Sequence, residues 1–362
     1  MITPRSLKAL RLSAVSVFVL VCSTFGFAQH FTRTDLTADV AATSTTAPNL
    51  DPNLVNPWGM SRSSTSPWWL ADNGTGLTSL YNASGSPSNS FIVPGLSGNP
   101  SAPTGTVYNF TTAFEITPGH KAVFMFVTED GTISAWNGGP SAVLEVDRSK
   151  FAIYKGCALA LRNGQPYLYV TNFKTGRVEI FNGSFARVGT DHDFLVPDRL
   201  PKNYSPFGIQ NVGGNLVVTY AHRQPGSTDE DHGPGLGFVA IFSPEGRLLA
   251  MLEHGSYFNA PWGIAMAPSD FGTFSHRLLI GNFGDGAINA FNAVSGRFEG
   301  TLLANGTQSP LTIPGLWGIT FGNNGTAGPA TTLYFAAGPN DENDGILGTI
   351  TPVATEQRGN SE

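Results

Sequence analysis

Two stretches of the chain hold most of the side chains able to bind a cation or move a proton. Residues 221–237 carry His222, Asp229, Glu230, Asp231 and His232, two imidazoles and three carboxylates in one excursion. Carboxylate oxygens and imidazole nitrogens are the donors that divalent ions take, so Asp229, Glu230, Asp231 and His232 form one candidate metal set. The second stretch, 340–345, places Asn340, Glu342 and Asp344 ahead of Gly345, the alternation of a calcium loop. Its twelfth position is Thr351, where such a loop needs Glu. The spacing of His222 and His232 matches no metal template, and acidic runs on long loops ordinarily face water. Metal site and solvated loop both stay open.

What positions these stretches is a repeat. Four short marks recur: Asn56-Pro57-Trp58-Gly59, Ser205-Pro206-Phe207-Gly208, Ala260-Pro261-Trp262-Gly263 and Gly315-Leu316-Trp317-Gly318. Looser versions, Pro103-Thr104-Gly105 and Tyr154-Lys155-Gly156, lie between the first two. The six glycines are 46, 51, 52, 55 and 55 residues apart. A period near fifty residues is the signature of stacked supersecondary units. After each mark comes a β-prone run and a second one beyond a polar turn: 68–72 with 77–82, 123–128 with 132–137, 167–172 with 177–182, 216–220 with 238–243, 278–282 with 287–292, and 333–337 with 346–350. Turns such as Asn73-Gly74, Asp130-Gly131 and Asp285-Gly286 have the chemistry of tight hairpins. A further run follows in most units: 91–93, 143–146, 194–196, 248–252 and 298–303.

Four strands repeated six times, with almost no helical periodicity, predict an all-β fold: a six-bladed β-propeller of four-stranded antiparallel blades. The mark glycine suits the innermost strand, where blades converge and a side chain would clash. The sixth unit lacks an outer strand of its own, and residues 31–37 precede the first mark without a partner. That N-terminal strand is expected to close the last blade and remove the open sheet edges.

The propeller turns scattered residues into a rim. Loops joining the second and third strands bring Asp72, Asn73, Glu129, Asn172, Asn282 and Asp285 to one end of the channel, with Trp58, Phe207, Trp262 and Trp317 behind them. Such a surface suits a protein, a glycan or a cation. The same residue types also serve turns and fill gaps between blades. No His-Glu-x-x-His, Gly-x-Ser-x-Gly, dinucleotide glycine pattern or paired zinc-type cysteines occurs. These observations favour a non-catalytic recognition module working through one rim. The alternative is a hydrolase or lactonase in which calcium, held by rim carboxylates, polarises a carbonyl.

Residues 1–28 read as a secretory signal peptide: Arg5, Lys8 and Arg11 precede an apolar run, and small residues stand ahead of a cut near Ala28. Export to the periplasm or beyond is expected, with a propeller over 29–351, a disordered tail over 352–362 and no membrane span in the mature chain. Removing three cations and no acid takes the formal charge from −6 to −9, which disfavours nucleic acid as a partner. Only Cys157 survives the cut, so no internal disulfide forms and the core alone must hold the fold, which is expected to be monomeric.

The repeat logic resembles NHL-type propellers. Longer phrases are similar to an uncharacterised bacterial family of exported propellers, some with a PEP-CTERM sorting tail. They are Asp51-Pro52-Asn53-Leu54-Val55-Asn56-Pro57-Trp58-Gly59, Asn259-Ala260-Pro261-Trp262-Gly263, Gly281-Asn282-Phe283-Gly284-Asp285-Gly286, and Gly315-Leu316-Trp317-Gly318; Ala337-Gly338-Pro339 with Glu342 and Gly345 extends the likeness. The match spans 30–351, and 352–362 departs from it by lacking the apolar sorting helix. The resemblance implies fold and export, and no chemistry.

Overall fold

The computed structural model describes residues 29–96, 100–189, 193–196 and 200–356. The segment read as a signal peptide lies outside them. Six antiparallel sheets follow one another along the chain, each running from an inner strand outwards. The inner strands are Pro57–Ser61, Pro103–Tyr108, Tyr154–Arg162, Tyr204–Val212, Pro261–Met266 and Leu316–Phe321, one for each predicted mark. The chain is a six-bladed propeller.

The mark glycines explain why the inner strands approach so closely. A Cβ on Gly59 would stand 2.6 Å from the Thr104 carbonyl oxygen, and one on Gly105 would stand 2.7 Å from the Cys157 nitrogen. The series continues from Gly156 towards Phe207, from Gly208 towards Trp262, from Gly263 towards Trp317, and from Gly318 back to the Trp58 carbonyl at 2.6 Å. Each glycine faces the backbone of the next blade, and the sixth faces the first. The ring is shut by backbone contacts that leave no room for a side chain at five of the glycines and little at Gly156.

Closure at the periphery is by main-chain pairing. Strand His30–Ala38 runs antiparallel to Ile346–Pro352, from Phe31 opposite Pro352 to Ala38 opposite Ile346. The N-terminal segment therefore supplies the outer strand of the sixth blade. Two short parallel additions, Asn49–Leu50 and Leu303–Ala304, flank it. Ordered contacts continue past residue 351: the His30 amide donates to Glu356 Oε2 at 2.7 Å, and His30 Nδ1 lies 2.9 Å from Oε1. Residues 357–362 of the expected tail lie outside the described residues.

The apolar core lies between neighbouring sheets as separate clusters. One example is Trp69 stacked on Phe124, with ring centroids 4.1 Å apart. The third blade corrects one expectation: its outer strand is Arg187–Val188, not 194–196. Phe194 instead fills the gap between blades three and four, 5.5 Å from Tyr169 and 5.1 Å from Phe242. A short apolar run can serve an outer strand or an inter-blade gap, and here burial of the ring decides.

Candidate functional site at the channel mouth

The six hairpin loops between second and third strands gather at one end of the channel, as expected. The residue immediately before the mark glycine enters that end in five blades, as Trp58, Lys155, Phe207, Trp262 and Trp317, whereas Thr104 of the second blade donates its hydroxyl to the Tyr154 and Val127 carbonyls. Trp58 and Trp317 stack with centroids 3.6 Å apart, and Phe283 stacks on Trp317 at 3.9 Å. Phe207 and Trp262 meet Trp58 edge-on at 6.3 and 6.1 Å. The aromatic rings fill the mouth. Below them the channel widens only to a cavity of about 40 Å³ lined by four of the mark glycines (Gly59, Gly105, Gly156 and Gly318) with Met60, Cys157 and Trp262.

Lys155 is the residue that the sequence reading passed over. Its side chain is 1% exposed, and its ammonium lies 5.0 Å from the Trp58 ring, 5.5 Å from Phe173 and 6.0 Å from Phe207. Aromatic faces attract such a cation, but burial of a full charge costs several kcal/mol unless it is paired. Three carboxylates supply the pairing: Glu129 at 2.6 Å, Asp229 at 3.5 Å and Glu230 at 3.9 Å. Burial alone would pull the ammonium pKa down, yet Glu129 and Glu230 more than offset it and hold it above the ordinary lysine value. Trp262 Nε1 donates to the Lys155 carbonyl at 2.9 Å, tying the fifth blade to the third.

A shell of amides carries the network outward. Asn73 Nδ2 donates to Glu129 Oε2 at 2.9 Å, and Asn56 Nδ2 donates to Glu342 Oε2 at 2.6 Å. Trp317 Nε1 donates to Asn56 Oδ1 at 2.9 Å. Loops of the first, second, fourth and sixth blades thus meet over the lysine. Burial, partly relieved by Lys155, raises the Glu230 carboxyl to about 7. Glu342 is raised for the same first reason, with Asn56 opposing.

The other candidates divide. Asp72, Asn172 and Asn282 are wholly buried and do not reach the rim surface where they were expected. Asp72 sits inside the first blade, where burial lifts its pKa far above the usual carboxylate range. Asn172 donates to Glu179 and to the Phe151 carbonyl. Asn282 donates to the Tyr257 carbonyl at 2.8 Å and to Asp285. These are turn and sheet-anchoring duties. Asp231 accepts from Gln224 and lies 2.6 Å from His222 Nδ1, away from Lys155. Asp229, Glu230 and Glu342 thus crowd round Lys155 while Asp231 turns to His222, and neither candidate metal set gathers whole at one point. Among the described residues, no group of three His, Cys, Asp or Glu side chains is arranged to hold a metal ion.

Beside the plugged mouth, an open cleft of about 690 Å³ lies between the loops of blades five and six. His232, Phe283, Asp285, Asn340, Asp341 and Glu342 line it, bringing together residues from both long loops. The sixth-blade wall is strained: Asn340, Asp341 and Glu342 have φ of 56°, 50° and 65° in succession. Left-handed backbone costs a non-glycine residue roughly 1–2 kcal/mol, and runs of it concentrate at ligand clamps and switch regions. Asp344 holds the loop down by accepting the Asn56 amide on its carbonyl at 3.0 Å.

No family profile matches the chain. It is 28% identical over 325 residues to an uncharacterised protein of Acanthamoeba polyphaga mimivirus, covering 84% of this chain and 82% of the relative. A second uncharacterised protein of that virus is 29% identical over 323 residues, covering 84% and 76%. The virginiamycin B lyase of Staphylococcus aureus superposes with a TM-score of 0.53 at 14% identity, over 90% of this chain and all of that one. A glucose dehydrogenase gives 0.55 at 13% identity, over 88% and 98%. The likeness is one of fold. The sequence relatives are viral, so the bacterial, PEP-CTERM-associated grouping expected from the sequence finds no support among them; the propeller likeness stands.

Proposed function

We propose that this chain is a non-catalytic recognition module that seats a basic segment of a protein partner in the cleft between blades five and six. One observation carries the reading. The channel mouth is filled by stacked rings and a lysine with its own carboxylates, whereas Asp285, Asp341 and Glu342 line a cleft open to solvent. Acidic walls beside an aromatic ring and an imidazole suit a Lys- or Arg-bearing partner better than a neutral sugar. The signal-like residues 1–28 support export, with this contact made in the periplasm or outside the cell by a monomeric propeller.

The test is an array of exported proteins and basic peptides alongside a glycan array. A peptide or protein binder is expected, with binding weakened about tenfold in Glu342→Gln combined with Asp341→Asn. Binders on the glycan array alone would replace the protein reading with a carbohydrate one. A blank on both would overturn recognition altogether.

The calcium-dependent hydrolase is the second reading, and Glu230 is what favours it: a buried carboxyl titrating near neutrality beside a lysine suits proton transfer. Against it, the carboxylates that would converge on a calcium ion converge on the Lys155 ammonium. A rise in Tm with calcium that chelator reverses would favour the hydrolase.

A further inference from the structure

The mature chain is acidic, yet its cations are unevenly spread. Arg148, Lys150, Lys174, Arg177 and Arg187 line one cleft of about 450 Å³ on the third blade, against only Glu179 and Asp193 among the acids. Glu179 is buried and takes Arg148 in a two-bonded pair at 2.9 and 3.0 Å, with Arg187 at 3.5 Å. Lys150 and Lys174 reach solvent from the two walls. Lys174 Nζ also donates to the Lys150 carbonyl at 2.9 Å, which holds the walls together. A second cleft of about 520 Å³ continues from the first through Thr175 and Arg177 and adds Lys202 and Arg223.

An aromatic ring sits within this basic band. Phe151 is 60% exposed, more than any other aromatic ring among the exposed large hydrophobic residues, and Arg148 lies over it at 5.6 Å. An isolated exposed ring needs no explanation by itself. One framed by cations on the wall of a groove offers an apolar face with charge at its edge. The C–H face of a pyranose packs on such a ring, while a carboxylate or sulfate on the sugar takes charge-assisted bonds from the flanking lysines and arginines.

We infer that the two joined clefts on blades three and four form a binding site for an acidic polysaccharide, one whose sugar rings carry carboxylate or sulfate. The site is separate from the cleft between blades five and six and takes ligands of opposite charge. The chain as a whole carries a formal charge of −6, which disfavours a long stiff polyanion reaching beyond this band.

The test is calorimetric titration of the purified chain with three hexasaccharides: uronic-acid, sulfated and neutral. Binding of the uronate, the sulfated sugar or both is expected, with the neutral sugar inert; the two anionic arms tell carboxylate from sulfate recognition. Lys150→Gln with Lys174→Gln, and separately Phe151→Ala, each weaken binding about tenfold or more at unchanged Tm. Arg297→Ala, an exposed cation on the fifth blade, leaves it intact. The inference fails if Phe151→Ala binds as the parent does, or if Arg297→Ala weakens binding as much as the lysine pair. It also fails if an acidic peptide of equal charge binds as tightly. Glu342→Gln with Asp341→Asn leaves this binding untouched, so its failure and that of the rim cleft are told apart.

Discussion

At the scale of single residues, the centre of the molecule is an ion cluster that no catalytic motif announced. Replacing Lys155 by Met would leave Glu129, Asp229 and Glu230 without their shared cation. Breaking a buried pair by removing one partner costs roughly 3–5 kcal/mol, and urea denaturation of Lys155→Met is expected to show a loss of that order. Adding Glu129→Gln and Glu230→Gln to it should recover much of the loss, since two of the three uncompensated charges go. Glu230 also makes stability depend on pH. Its folded pKa, about 7, lies above its unfolded value of 4.5, so between those limits the folded chain holds a proton that the unfolded chain has released. Stability therefore falls as pH rises from 4.5 to 7 and stays level above, by on the order of 3 kcal/mol for a shift of this size. Unfolding titrations at pH 5 and pH 8 should show a smaller fall in Glu230→Gln than in the parent chain; Asp72 and Glu342, whose carboxyls burial also raises, keep part of it. The cluster was partly legible. Glu129, Asn73 and the acids of 229–230 stand in loops that the repeat assigns to the rim. Lys155 was not recognised, although it occupies the slot where four other marks place an aromatic ring. Alignment of the marks alone would have isolated a lysine among rings, and burial is what turns that oddity into a centre.

At the scale of elements, the mark glycines make the sharpest claim. Gly208 would set a Cβ against the Trp262 carbonyl oxygen, backbone that cannot yield, whereas Gly156 leaves 3.1 Å to the Phe207 carbonyl. Gly208→Ala is expected to lose about 3 kcal/mol or fail to fold, and Gly156→Ala to lose less than half as much. Thermal melts of the two side by side check the order; equal losses would mean that the inner strands slide apart at little cost. The six units were readable because inner-strand glycines, Asn/Asp-Gly turns and alternating runs each have a single local cause. The outer strand of the third blade was not, because 194–196 has the composition of a strand and the packing of a wedge. Hydrophobic pattern fixes that a residue is buried, and only the neighbouring blade fixes against what. The rim candidates failed in the same way: Asn172 and Asn282 have the side chains of a binding loop and spend them on carbonyls of their own blade.

At the scale of the whole molecule, the ring is held by two clasps at one seam. The inner clasp joins the sixth blade to the first through the Trp58–Trp317 stack and Arg62, whose guanidinium donates to the carbonyls of Phe321 at 2.7 Å and Gly322 at 2.8 Å. The outer clasp is strand His30–Ala38, with Phe31 fully buried against Phe271 and Phe274. Deleting residues 29–40 strips that strand, uncovers the edge of Ile346–Pro352 and leaves a void where the Phe31 ring stood. Phe31 alone is worth roughly 3–5 kcal/mol when truncated to Ala, and the lost main-chain pairing adds to it. A Tm lowered by about 10 °C or more is expected, with aggregation through the bared edge. A synthetic peptide of residues 29–40, added in excess, should restore part of the lost Tm, because the seam then closes by the same pairing in trans. Restoration by the parent peptide and none by one carrying Phe31→Asp would assign the effect to the clasp. An unchanged Tm on deletion would mean that the inner glycine ring holds the wheel shut unaided, and the N-terminal strand would then be a cover on the sixth blade.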